Sequence, residues 1–175
     1  MENQTASVKK IALPHGLILA LCTIVLSVIV YVMGMHLEQP WWQGVLNLAF
    51  SIAIIVYGLK AFKRDNGGFM SLGEALKTGL AIALIAGIIG SIFTYLFVTV
   101  IEPEFTTQML EVTREKMIEQ NPEMTDDQLE MAMGMTENFM SPGIMVALGI
   151  ISSLFFGFII SLIAGLVMKN NRPLA

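Results

Sequence analysis

The chain has 175 residues, 55% of them hydrophobic and 14% charged, with a formal net charge of −4; soluble domains run nearer about 25% charged. Ten of the fourteen acids fall in Glu102–Ser141, and four long stretches are almost free of charge. That distribution excludes one ordinary soluble domain and points to lipid, whose hydrocarbon core of about 30 Å takes roughly 20 apolar residues at about 1.5 Å each.

The first apolar run covers residues 11–35, with His15 in its first turns as an interfacial side chain. Lys9 and Lys10 imitate the basic start of a secretory signal. The run outlasts the usual apolar segment of about 7–15 residues and no small-x-small cleavage site follows, so a retained anchor is expected. Cys22, the single cysteine, lies mid-span and supports neither a disulfide framework nor a metal cluster.

The second run covers residues 41–62. Trp41 and Trp42 suit a membrane interface, and Lys60 sits near the far end, where its stem can snorkel. Asn47 is the strongly polar residue well inside this span and is expected to hydrogen-bond to another helix. Asn66-Gly67-Gly68 then signals a turn. Ser71 and Glu74 form a capping box, so a helix should run from about Leu72 to Ile101, with residues 79–101 in the membrane.

Glu102-Pro103 ends that helix. Two short helices are expected in 102–141, about Glu104–Gln120 and, after a Thr125/Gln128 capping box, on to about Phe139. Phe105, Met109 and Val112 share a face of the first, opposite Glu104, Glu111, Glu115 and Glu119. Leu129, Ala132, Met133, Thr136 and Met140 should form the inner face of the second. Ser141-Pro142 reads as N-cap and first-turn proline for a fourth span over residues 143–168. The expected fold class is all-α: a four-helix transmembrane bundle with an extracytoplasmic helical hairpin between spans three and four.

Eight of the ten basic residues fall on one side of these spans. The positive-inside rule then puts both termini in the cytoplasm.

Small residues recur every fourth position in two spans. Span three carries Gly79, Ala83, Gly87 and Ser91, with Ala86, Gly90 and Thr94 alongside; span four carries Gly149, Ser153, Gly157, Ser161 and Gly165. Lipid offers helices little hydrophobic drive to associate, so close backbone contact through small residues does that work. A four-residue period drifts about 40° per step. A straight partner cannot follow the full stripe, so the expectation is a close crossing near Gly87 and Gly157, with one stripe end left for another helix or a second protomer.

Met131-x-Met133-x-Met135 invites a copper(I) reading. On a helix Met133 points away from the other two, so the methionines are read as apolar filler or a partner surface. The acidic face could draw cations or a basic partner, but it lacks EF-hand spacing. The spans contain no carboxylate, lysine or arginine of the kind that marks an ion pathway. Nucleophile–base pairs, zinc-binding helices and phosphate loops are likewise missing from the sequence. No catalytic residue, cofactor, metal or nucleic-acid partner is expected.

The loop Lys63-Arg64-Asp65…Gly67-Gly68, the pattern Phe69-x-Ser71-x-x-x-Ala75-x-Lys77-x-Gly79 and the later Pro103 and Phe105 resemble the bacterial membrane family catalogued as domain of unknown function 4199. The resemblance covers nearly the whole chain. It implies a small multi-span protein of the bacterial inner membrane and carries over no site residues. The preferred expectation is a non-enzymatic accessory or scaffold subunit, with the lipid bilayer and a homo-oligomer or membrane-protein partner around it. The alternative is an oligomeric channel or transporter for a small solute or ion, because the core of a lone four-helix bundle is expected to be filled by side chains.

Overall fold

The computed structural model describes residues 6–172; residues 1–5 and 173–175, on which the placement of the termini bears, lie outside the described residues. The described residues form six α-helices: α1 (Val8–Val32), α2 (Trp41–Asp65), α3 (Leu72–Leu96), α4 (Phe105–Gln120), α5 (Asp126–Phe139) and α6 (Pro142–Met168). A π-helical turn, Phe97–Ile101, extends α3. Helices α1, α2, α3 with its extension, and α6 are long and apolar enough to cross a membrane. The chain is an all-α membrane protein with four candidate spans.

Local chemistry sets the helix ends. Ser71 Oγ accepts from the Glu74 amide at 3.3 Å while Glu74 Oε2 accepts from the Ser71 amide at 2.7 Å, a closed capping box. Thr125 and Gln128 repeat it at the start of α5. Ser141 departs from expectation. It occupies the N-cap position of α6 with Pro142 after it, yet its hydroxyl caps nothing and donates back to the Asn138 carbonyl at 2.8 Å. At the other end of α3, Glu102 leaves helical geometry at φ −136°, ψ 73°, as the residue before a proline is pushed to do.

Helix α3 is the hub, packing most extensively on α6 and next on α1, while α2 lies against all three. The long α3–α6 contact corrects the expected local crossing. Built onto Gly79, a Cβ would collide with Ser161; onto Gly87, it would meet Ser153 at 2.9 Å; onto Gly149, Ser91 at 2.9 Å; onto Gly165, Ala75 at 2.8 Å; and onto Gly157 it would collide with Ala83. Each step of four up α3 is thus a step of four down α6, and the stripes stay together along their whole length. The expectation failed because it held the partner straight. Two helices that share one drifting period follow each other by wrapping, and a period above 3.6 implies a right-handed sense. Hydrogen bonds reinforce the seam: Ser153 Oγ donates to the Ala83 carbonyl at 2.7 Å and Ser91 Oγ to the Val146 carbonyl at 3.2 Å. Two lone glycines outside any stripe make further close approaches, Gly16 against Ile85 and Gly58 against Ile82.

The basic end is tied by backbone as well as by side chains. Met70 and Asn170 exchange two backbone hydrogen bonds of 2.9 Å, joining the α2–α3 loop to the segment after α6. Asn66, 2% exposed, lies between them. Its amide nitrogen donates to the Phe69 carbonyl at 2.9 Å and to Glu74 Oε1 at 3.4 Å; its oxygen accepts from the Ala6 amide at 3.3 Å and from Arg172 Nη2 at 3.1 Å.

Candidate functional site

The bundle is solid in one half and open in the other. Ile55, Leu59, Phe62, Met70, Ile82 and Ile160 fill the basic half as buried side chains. Toward the hairpin, α2 buries nothing before Ile55 and α6 nothing before Gly157. A cavity of about 510 Å³ opens in this half, lined by all four spans. A second cavity of about 470 Å³ continues it toward the hairpin; the two share Ser27, Gly44, Asn47, Phe93 and Thr94. Together they make one vestibule. From Trp41 to Ile55 it follows α2 for about 21 Å, or roughly two-thirds of the hydrocarbon core.

Small residues create the space. Gly44 and Gly90 line the vestibule, and a Cβ on either would meet nothing within 4 Å. The core is therefore not filled, contrary to expectation for a lone bundle. Side chains that the sequence makes small for packing on one face of α3 leave room on the adjoining face.

The lining chemistry is specific. Neither cavity is lined by an acid, a lysine or an arginine. Thr23, Ser51, Ser91, Thr94 and Ser153 each donate their hydroxyl hydrogen to a backbone carbonyl, at 2.7 to 3.2 Å. Those five oxygens keep their accepting lone pairs. Asn47 Oδ1 is buried and has no hydrogen-bond partner, which overturns the expected interhelical bond. An amide oxygen left unpaired inside a protein costs about 1–3 kcal/mol, and the residue that carries it lines the vestibule.

The mouth is aromatic. His36 lies 5.0 Å from Tyr31 between ring centroids, 6.2 Å from Phe105 and 6.5 Å from Phe97, and both its ring nitrogens are buried without a partner. Tyr31 donates to Glu102 Oε2 at 2.8 Å, and Gln108 Nε2 reaches Glu102 Oε1 at 3.5 Å. Glu102 thus fastens the start of the hairpin to α1. Glu102→Ala is expected to raise amide exchange across Phe105–Gln120 about fivefold, for a lost bond near 1 kcal/mol, with the spans unchanged; hydrogen–deuterium exchange mass spectrometry checks it.

The other residues singled out from the sequence fall elsewhere. All nine stripe residues, Gly79 to Ser91 and Gly149 to Gly165, lie on the α3–α6 seam. Gly87, Ser91, Gly149, Ser153 and Gly157 reach the vestibule edge as well. His15 pairs Nδ1 with the Ile11 carbonyl at 2.7 Å, outside the site. Glu104, Glu111, Glu115 and Glu119 are exposed along α4. Met131 and Met135 are 72% and 60% exposed while Met133 turns inward, so the three thioethers diverge.

No curated protein matches the chain, and no solved structure does. The model of one family, described as a protein of unknown function (DUF4199), matches residues 14–170, and the chain belongs to that family.

Proposed function

We propose that this protein admits a small neutral solute rich in hydrogen-bond donors into the vestibule and acts as its channel or transporter. The observation that carries the reading is Asn47, a lining amide whose oxygen has no hydrogen-bond partner, among hydroxyl oxygens whose hydrogens are already committed. Such a lining offers acceptors to a donor, beside the hydroxyls of Ser27 and Ser152. It offers no countercharge to an ion, whose burial alone is costly. The volume suits a small molecule. On this reading the protein is non-enzymatic, needs no cofactor, and sits in the bacterial inner membrane with its basic end in the cytoplasm. The vestibule then faces outward and is plugged on the cytoplasmic side by Ile55, Leu59 and Ile82.

The test is osmotic swelling of proteoliposomes in glycerol and in urea, beside potassium and ammonium salts. Wild type is expected to admit a neutral solute faster than protein-free vesicles do. Asn47→Leu should slow it about tenfold, for a lost hydrogen bond worth about 1.4 kcal/mol. Neutral-solute rates equal to those of empty vesicles would sink the proposal, as would salt passage without neutral passage.

A second reading keeps the accessory or scaffold role. It draws on Met131, Met135 and Phe139, which recur every fourth residue on α5 and are all more than half exposed. A helix outside the membrane with such a stripe suits a protein contact. Crosslinking in native membranes through position 135 tests it, and recovery of the monomer alone counts against it.

A further inference from the structure

A groove of about 600 Å³ runs between α2 and α6 on the outside of the bundle. Its α2 wall is Leu48, Ile52, Val56 and Lys60, one side chain per turn, and Lys60 is the single polar residue that lines it. On α6 the wall ends at Val167 and Met168. From Leu48 to Lys60 the groove extends about 18 Å, close to the roughly 15 Å depth of one leaflet's hydrocarbon. Leu48 and Phe156 line the groove and the vestibule alike, and so they partition an apolar channel from a polar one.

The basic end of the groove carries a second cation. Lys63 lies one turn beyond Lys60 and donates from Nζ to the Met168 carbonyl at 2.8 Å, which leaves two ammonium hydrogens free. Among the described residues neither lysine makes an ion pair; Asp65, the nearby acid, is taken by Arg64 at 3.1 Å. Two uncompensated ammonium groups therefore stand at the basic end of an apolar groove about as long as a leaflet is deep.

We propose that the α2–α6 groove is a binding site for an anionic phospholipid of the leaflet at the basic end. One acyl chain lies along Ile52, Val56 and Ile163, and the phosphate rests on Lys60 and Lys63. The apolar walls accept any chain, and the two lysines choose the headgroup. A basic side chain near an anionic headgroup contributes about fivefold in affinity, so the pair sets a preference of roughly twentyfold.

Native mass spectrometry of the full chain tests this with phosphatidylglycerol and phosphatidylcholine of identical chains. Wild type is expected to retain phosphatidylglycerol in preference, with Lys60→Gln lowering the preference about fivefold and Lys60→Gln/Lys63→Gln removing it. Lys77→Gln, at the same end but outside the groove, should leave it intact. Ile163→Trp, which fills the groove from a 59% exposed position, should lower retention of both lipids together. Equal retention by wild type overturns the proposal. So does a preference that survives Lys60→Gln, or one that falls as far with Lys77→Gln. Lys60 is exposed, so its variant keeps the test decisive even where the double variant fails to fold.

Discussion

Gly157→Leu is expected to abolish the folded bundle in mild detergent, and Gly157→Ala to cost about 1–3 kcal/mol, the usual range for overpacking. A Cβ at Gly157 falls inside contact distance of the Ala83 methyl, with the Ala83 Cα and the Gly79 carbonyl oxygen each 3.8 Å away. Ala83 is itself 1% exposed and has nowhere to turn. A leucine must therefore push two helix backbones apart at the middle of the longest contact in the protein. Against a total stability of about 5–15 kcal/mol, the seam would not survive that separation. The register makes a sharper version possible. Because Gly157 faces Ala83, moving the methyl across the seam in Gly157→Ala/Ala83→Gly should restore most of the loss, while Gly157→Ala/Ala86→Gly should not. Gly90→Ala is the matching control: it meets open space and should be neutral or stabilising by up to about 1 kcal/mol from helix propensity. Denaturation by a graded detergent titration measures all five.

Asn66→Ala is expected to lower stability by about 2–3 kcal/mol. The side chain is nearly fully buried and makes four hydrogen bonds, each worth about 0.5–1.5 kcal/mol net. The Ala6 amide and Arg172 regain water when released, so the sum falls short of four full bonds. The loss should be local before it is global. The Phe69 carbonyl and the Met70–Asn170 pair lose their support first, so the Met70 and Asn170 amides should exchange faster than those of α3. Thermal unfolding in detergent and site-resolved exchange check the two parts separately. Equal protection at Met70 in the variant and wild type would refute the support assigned to Asn66.

These two sites differ in how far the sequence discloses them. The small stripes of α3 and α6 are plain in sequence because each is periodic, and so are the four spans, the two capping boxes and the hairpin. Their mutual register is not plain, since a stripe on one helix says nothing about the path of its partner. Asn66 reads locally as the first residue of a turn. Two of its four partners stand 60 residues before it and 106 after it, and no spacing rule connects them. The vestibule is the least visible feature. It arises among all four spans toward the hairpin, and empty space has no periodicity. One trace of it is chemical: Asn47 is polar in an apolar span, which sequence reasoning assigned to a helix–helix bond when it faces a cavity.

The antiparallel seam also fixes an order in time. Ser91 and Gly149 are its first pair to exist during synthesis, and Ala75 and Gly165 its last. At roughly 5–20 residues per second, α3 waits several seconds for its partner after it has been made. Through that interval α3 can meet α1 through Ile85 and Gly16, but its bare glycine face, on the other side of the helix, lacks the partner it fits best. A chain that stalled before Gly149 would present the whole of that face to lipid or to another unfinished copy.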